Sequence, residues 1–547
     1  MSKFFKILFV LLIPLLLLTG CCGDVEELSE SEAKETLKSY MKKIKYTESQ
    51  DLVKDISGSS DVVLASINKY PLSVECKADV KIEIFSSTEK SSSGKDGWLN
   101  EVAKKFNSSN HTVNGKSACV EIRPIASGLA MDYLTSRTYV PDAFTSSNEL
   151  WAEMLKARGL DVTMIDSRLA GNTAGILIKS SLYDSLKKEH GELTLQTILD
   201  LGIERSITLG YTSPYSSSTG LNLLVSMLTQ FDSSNPLSEN AINQMIKLQA
   251  SVPPALLTTI QMRDSAASGL IDIMVMEYQA YINNDSLKDY VFIPIGVRHD
   301  SPMYAMKSLS GDKMQLLKDF TSYAKNSESQ KLATDYGFNA HNDYKGASIN
   351  LTGDQLYKAQ AVWKENKDGG TPIIAVFVAD LSGSMDGAPI TSLKNALVNA
   401  SSYIGVGNYV GLVSYSNSVT INLPIGLYDS NQKSYFNGAV KKFKAGGSTY
   451  THEALLVAAN MIQEAKEKYP EAKPMIFLLT DGEANGWYGY SDSAKILKGL
   501  QIPVHCIGFN GGSSELTDLS SLVEASYIQA DNEDVAYQLR MMFQSGL

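Results

Sequence analysis

The chain has 547 residues, 44% of them hydrophobic and 20% charged, so it is long enough for two or three globular domains with sizeable cores. Its 49 basic and 60 acidic side chains give a formal charge of −11, which disfavours nonspecific nucleic-acid binding and suits an acidic protein. Taken in chain order, Lys3 and Lys6 make a basic start, Ile7 to Leu18 an apolar run, and Leu18-Thr19-Gly20-Cys21 a close of small residues before a cysteine. This reads as a secretory signal over residues 1–20, with an uncleaved membrane anchor as the alternative.

That close resembles a bacterial lipobox. The resemblance implies that Cys21 is lipidated and becomes the mature N-terminus, leaving the chain tethered outside the cytoplasm. No second apolar stretch is long enough to span a membrane. Cys22 reads as a neighbour without a role or as a second acyl or thiol site. Cys76 and Cys119 each flank a strand-like run, and an extracytoplasmic setting permits a disulfide between them. Two reduced cysteines are the open alternative. Cys506 sits in an apolar strand and reads as a small core residue.

Residues 21–78 are charged and helix-favouring, without a strong core pattern, and read as a tether followed by a small helical cap. From Val80 strands alternate with helices. Val80–Phe85 and Val120–Ile125 read as strands. Trp98–Phe106 reads as an amphipathic helix, with Trp98, Leu99, Val102, Ala103 and Phe106 on one face. Further strands are expected at Gly175–Ile178, Ile271–Met276 and Tyr290–Val297, and helices at Ser181–Lys188, Leu221–Leu228 and Gly311–Ala324. The alternation predicts an α/β domain over residues 79–350 with mostly parallel sheets. A helical connector at Asp354–Lys364 and the punctuated run Asn366 to Pro372 place a linker at 351–370. A second α/β series then fills residues 371–547, with strands at Ile373–Ala379, Tyr409–Tyr415, Met475–Leu479 and Ile502–Ile507.

In an open parallel sheet, ligands bind beyond the carboxyl ends of the strands. Asp380, Ser382 and Ser384 follow one strand end, where the two serines alternate so that their hydroxyls can point the same way, and Asp481 follows another in Leu479-Thr480-Asp481-Gly482-Glu483. Between them lies the glycine-rich loop Gly446-Gly447-Ser448-Thr449-Tyr450-Thr451. The set is all hard oxygen, which suits Mg²⁺ at about six oxygens and disfavours zinc or copper. Asp386 and Glu483 read as turn residues.

These residues resemble the metal-ion-dependent adhesion site of the von Willebrand factor A domain family. Its pattern is Asp-x-Ser-x-Ser, a Thr in a glycine-rich loop, and an Asp in a Thr-Asp-Gly context. Asp380, Ser382, Ser384, Thr449 and Asp481 match all five positions. The resemblance implies a doubly wound, Rossmann-like fold from about Thr371 and a bound Mg²⁺, Mn²⁺ or Ca²⁺. It also implies an open coordination position that a carboxylate of a protein partner fills.

Residues 79 to about 345 resemble extracellular solute-binding proteins of the two-lobed type II periplasmic-binding class. The resemblance rests on Phe85-Ser86-Ser87-Thr88-Glu89-Lys90, Pro141 to Ser147, Tyr211 to Leu221 and Glu277-Tyr278. It implies cleft contacts from Ser86, Ser127, Ser147, Ser218 and Glu277 to a small polar ligand, with solvated loops and helix caps as the competing reading. Glu277 opposes an anion, so a neutral or amine-bearing ligand stays open, as does a lobe that only docks protein.

Gly115-Lys116-Ser117 lacks the glycine a phosphate loop needs at Asn110, and no Gly-x-Ser-x-Gly elbow or zinc-spaced His pair occurs. His452 reads as a surface residue or one that supports the metal ligands. No catalytic base or nucleophile is evident around the metal motif, so no enzyme is expected. Two readings follow: a membrane-anchored binding protein, or the substrate-binding component of a transporter with an accessory C-terminal domain.

Overall fold

Ile373–Asp380 carries no polar side chain before Asp380, and it is buried along its whole length. A strand in the middle of a parallel sheet must be buried in this way on both faces. Its odd residues Ile373, Ala375, Phe377 and Ala379 pack towards helices Ala388–Ala400 and Val535–Gly546. Its even residues Ile374, Val376 and Val378 pack towards helix Thr451–Lys468. The alternation is the two-residue pleat of a strand. The computed structural model describes residues 25–547 apart from 51, 56–63, 250–261, 263–272, 483, 510, 512 and 524. The signal segment, Cys21, Cys22 and Glu483 thus lie outside the described residues.

The C-terminal sheet has seven strands in the order Tyr46–Glu48, Val419–Leu427, Tyr409–Tyr415, Ile373–Asp380, Lys473–Thr480, Val504–Phe509 and Tyr527–Ala530. Neighbours are parallel except for the hairpin of Tyr409–Tyr415 with Val419–Leu427. The carboxyl ends of Ile373–Asp380 and Lys473–Thr480 therefore lie side by side on one rim, with Ala379 paired to Leu479.

The first of these strands adds to the reading of residues 21–78 as a tether and a small helical cap: the segment belongs to the C-terminal domain. Helix Glu30–Met41, closed at its start by a capping box of Ser29 and Glu32, buries Ala33 and Leu37 in the C-terminal core. Tyr46–Glu48 then adds an edge strand to the C-terminal sheet. Glu26 and Glu27 pair with Lys495 and Lys498 at 3.2 and 2.7 Å. Two buried side chains on a polar helix give too faint a period to read, and edge pairing uses backbone groups that leave no mark in the sequence.

The first domain has two lobes. In the first, the sheet order is Thr112–Val113, Lys116–Pro124, Val80–Ser86, Ala143–Thr145, Met303–Ala305 and Thr163–Asp166. In the second it is Tyr290–Arg298, Thr173–Lys179, Ile273–Glu277 and Leu209–Gly210, and only the last pair is parallel. Mostly parallel sheets, expected from the alternation, hold for the C-terminal domain but not for this lobe. The chain crosses between lobes at residues 167–172 and 299–302. Upstream of the expected start, Val74 bridges to Ile122, and Cys76 is joined to Cys119, Cα atoms 6.4 Å apart.

His505 makes the C-terminal domain sensitive to acid. It is buried on Val504–Phe509, its ring lies against Phe477 at 5.1 Å, and its Nδ1 accepts the Ser526 N–H at 3.2 Å. Burial, helped by the charge of Lys367, pushes its pKa down to about 4. A depressed His pKa means stability that is present above the ordinary value near 6.5 and lost as pH falls towards 4. Lowering pH from 7 to 5 is expected to cost this domain roughly 2 kcal/mol through His505. His505→Phe should flatten that part of a pH series of denaturation midpoints, and an unchanged slope would refute the assignment.

Candidate functional site

Asp380 ends its strand fully buried. Its Oδ1 accepts the Ser382 N–H at 2.7 Å and its Oδ2 accepts the Thr480 hydroxyl at 2.6 Å. Gly383–Met385 then forms a 3₁₀ turn, so Ser382 and Ser384 are not placed by strand alternation. The turn still brings their hydroxyl oxygens to 3.0 Å, and Ser384 donates to Asp481 Oδ1 at 2.8 Å. Two oxygens on adjacent vertices of an octahedron with bonds of about 2.1 Å stand about 3.0 Å apart, so these spacings fit a hard dication.

The glycine-rich loop is tied to the same turn. Gly383 N–H donates to Gly447 O at 3.0 Å and Gly446 N–H to Leu381 O at 2.8 Å. Gly447 has φ +95°, and a Cβ there would stand 2.6 Å from Asn417 Oδ1, so a side chain is excluded by both conformation and space. Thr449 is buried and held by Asn485, whose Oδ1 accepts the Thr449 N–H at 2.8 Å and whose N–H donates to Thr449 O at 3.0 Å. Asn485 was not expected from the sequence. It locks the Asp481 loop to the Thr449 loop.

Asp380, Ser382 and Thr449 are buried, whereas Ser384 is exposed and Asp481 half-buried, so the open side faces solvent. Burial pushes the Asp380 carboxyl above the ordinary range, and the nearby Asp481 charge adds to this, although the Thr480 and Ser382 hydrogen bonds oppose it. A bound cation is what would relieve two facing carboxylates. Two residues after Asn485, Trp487 is 87% exposed, while its backbone N–H is fixed to Glu453 Oε1 at 2.5 Å. His452 is not at the surface. It is buried, with Nδ1 2.9 Å from Ser493 and Nε2 3.2 Å from Glu515. Asp386 is exposed at the end of the 3₁₀ turn.

All five cleft candidates are buried, and the structure sorts them into four groups. Ser127 and Ser218, on opposite lobes at the starts of helices Ser127–Ser136 and Ser218–Phe231, meet with Oγ atoms 3.2 Å apart. Ser218 also accepts the Trp151 indole N–H at 2.8 Å. Ser147 donates to Glu89 at 2.7 Å, and Lys90, fully buried, reaches Ser87, Glu89 and the Ser146 carbonyl. Ser86 Oγ is buried without a partner among the described residues, as are Thr219 Oγ1 and Gln279 Oε1.

Glu277 accepts from Asn172 at 3.1 Å and lies 2.6 Å from His299 Nδ1. His299 Nε2 faces the amide nitrogens of Asn148 and Asn222 at 3.1 and 3.0 Å. Asn222 is oriented by both backbone groups of Val297, so its nitrogen donates. Nε2 therefore accepts, and the proton sits on Nδ1, donated to Glu277. Asn172 and His299 lie on the two crossing segments, so this buried cluster pins the hinge. Glu89 and Lys90 stood in the quoted segment Phe85 to Lys90 and were legible as charges in a strand-end loop. Asn148, Asn172, Asn222 and His299 carried no local signal.

Residues 375–540 match the von Willebrand factor type A domain family, and residues 91–339 match the bacterial extracellular solute-binding protein family. The chain carries a solute-binding domain followed by a von Willebrand factor type A domain. An uncharacterized protein of Synechocystis sp. is 28% identical over 205 residues, 35% of this chain and 45% of that protein. Inter-alpha-trypsin inhibitor heavy chain H1 of Sus scrofa is 29% identical over 174 residues, 28% of this chain and 17% of that protein. The match therefore spans less than half the length of either relative. Among solved structures, the periplasmic binding protein AfuA from Actinobacillus pleuropneumoniae aligns at TM-score 0.41 and 12% identity, over 53% of this chain and 98% of that one. A von Willebrand factor type A structure from Catenulispora acidiphila aligns at TM-score 0.29 and 22% identity, over 32% of this chain and 42% of that one.

Proposed function

We propose that the protein is a membrane-anchored extracytoplasmic binding protein and not an enzyme. Its von Willebrand factor type A domain takes a dication, Mg²⁺ first among Mn²⁺ and Ca²⁺, on Asp380, Ser382, Ser384, Thr449 and Asp481. Through it the domain takes an acidic group of a protein partner. The row of three oxygens, Ser382 Oγ, Ser384 Oγ and Asp481 Oδ1, at octahedral-edge spacing carries this reading. The two carboxylates neutralise the ion, the hydroxyls share its shell, and the exposed Ser384–Asp481 side leaves room for a third carboxylate. The anchor is Cys21, which places the docked N-terminal segment, and so the type A domain, next to the bilayer.

The solute-binding domain takes a small polar ligand in its cleft, which the partnerless buried Ser86, Thr219 and Gln279 atoms support. Those same atoms favour the second reading, a transport component that delivers solute. Among the described residues no helix is long and apolar enough to cross a membrane.

The test is a calorimetric titration of the full chain with Mg²⁺ and Mn²⁺, followed by iodide quenching. Trp98, Trp151 and Trp363 are buried, so iodide reads Trp487. Saturable metal binding at one site, with Asp-containing peptides shielding Trp487 only when metal is present, is the expected result. No saturable heat, or shielding that survives chelator, refutes the metal-dependent reading. A thermal shift with solutes and without metal would favour transport.

A further inference from the structure

The three loops that carry the metal motif hold acids and no bases. From Ile373 to Leu393, from Ala445 to Ile462 and from Pro474 to Ala494 there is no Lys or Arg, whereas Asp380, Asp386, Glu453, Asp481, Glu483 and Asp492 fall in these stretches. Asp380 and Asp481 would neutralise a dication, and Asp386, Glu453 and Asp492 remain. Of the lysines that border the Thr449 and Asp481 loops, Lys495 pairs with Glu26 at 3.2 Å. Lys444 lines a small cavity with Asn422 of Val419–Leu427, on the opposite flank of Ile373–Asp380 from the Asp481 loop.

A large aromatic side chain stands in this acidic setting. Trp487 is 87% exposed and lies two residues after Asn485, which is tied to Thr449 by two hydrogen bonds. Two residues of chain span at most about 7 Å, so the indole is carried close to the Thr449 loop. Its backbone is fixed by Glu453, on the helix Thr451–Lys468, whose Oε1 accepts the N–H groups of Trp487 at 2.5 Å and Tyr488 at 3.2 Å. An exposed ring on a fixed backbone costs little further ordering when a partner covers it. The other oxygen, Glu453 Oε2, is buried without a partner among the described residues. It lies against Gly486, where a Cβ would stand 2.2 Å from it. An exposed indole by itself suits an apolar, aromatic or cationic occupant. The acids around it and the partnerless carboxylate oxygen beside it select the cation.

We propose that the partner presents an arginine next to its acidic residue, and that the guanidinium stacks on Trp487 while the carboxylate meets the metal. The proposal deepens, and rests on, the reading that Asp380, Ser382, Ser384, Thr449 and Asp481 hold a dication open to a carboxylate. Arginine suits the place better than lysine, because its planar and weakly hydrated head stacks on aromatic faces. Any carboxylate can meet the metal, so Trp487 is what separates one acidic partner from another.

Calorimetric titration of the full chain in saturating Mg²⁺ with short peptides tests this. Each peptide carries one Asp in a glycine background, with Arg placed in turn at every position within three residues on either side. Citrulline or Leu replaces the Arg in the controls. At its best position Arg is expected to tighten binding at least about 5-fold over citrulline, the size of a cation–π contact at an exposed site. Trp487→Ala should abolish that difference and leave Mg²⁺ affinity unchanged. Equal affinity of Arg and citrulline peptides at every position overturns the proposal. So does an Arg advantage that survives Trp487→Ala, or a Leu peptide that binds as tightly as its Arg counterpart. If wild type takes Mg²⁺ but no Asp peptide of any kind, the carboxylate reading fails and the arginine contact with it. If it takes no Mg²⁺, the metal reading itself fails.

Discussion

Asp380→Asn lowers Mg²⁺ and Mn²⁺ affinity by more than about 100-fold while the protein stays folded. Loss of a group that merely supports a metal ligand already costs about 10–100-fold, and Asp380 supplies one of only two carboxylates in the set. The amide matches the carboxylate in shape; its oxygen can still accept the Ser382 N–H that Asp380 accepts at 2.7 Å, and its nitrogen donates to the Thr480 hydroxyl oxygen, which turns its own proton to the Gly482 carbonyl. It also removes a buried charge whose pKa burial has already raised. The metal-free variant is therefore expected to melt no lower than the metal-free wild type. Calorimetric titration and thermal melts with and without chelator check both halves. Wild-type metal affinity in the variant would remove Asp380 from the set, and an unfolded variant would make it a structural residue. Asp481→Asn should also lose affinity with less effect on the metal-free melt, because Asp481 is half-buried and bound by Ser384.

Arg540→Ala destabilises the protein by about 3 kcal/mol, because removing one partner of a mostly enclosed pair strands the other charge. Arg540 keeps 8% of its side chain exposed and Asp132 27%, so the cost falls at the lower end of the buried-pair range of about 3–5 kcal/mol. The guanidinium also stacks over Tyr537 at 5.1 Å and Tyr403 at 5.9 Å, contacts that alanine loses. Burial already pushes the Asp132 carboxyl up against the pull of Arg540, and without Arg540 it rises further. Denaturant titration of wild type, Arg540→Ala and the paired Arg540→Met with Asp132→Leu separates the contributions. The single variant should be the least stable, with the paired apolar replacement close to wild type. A single variant as stable as wild type would show that the pair does not hold the domains together.

The five residues proposed to hold the metal were legible because their chemistry is local. A carboxylate and two hydroxyls within five residues of a buried strand, a glycine loop before a helix, and a Thr-Asp-Gly at a second strand end all survive as short motifs. The order of the C-terminal strands was legible for a similar reason, since apolar runs buried on both faces read continuously. Asn485 was not, although it stands four residues after Asp481, because its role is to join two loops 36 residues apart. The 3₁₀ turn at Gly383–Met385 shows the same limit: Ser382 and Ser384 were legible as candidates beside Asp380, but the turn, not strand alternation, brings their hydroxyls together.

In the solute-binding domain the sequence determined the helices, the strand ends and the serine-rich loops. It did not determine that Glu277, His299, Asn172, Asn148 and Asn222 form one buried cluster at the hinge. These residues come from five separate stretches, and each alone carries no sign of its partners. The same holds for the N-terminal helix and edge strand that complete the C-terminal domain. Sequence patterns record which face of an element seeks a core, through apolar period and capping residues. Which distant element supplies that core, and which polar groups then meet, is decided by long-range packing and backbone pairing, and only the tertiary structure displays it.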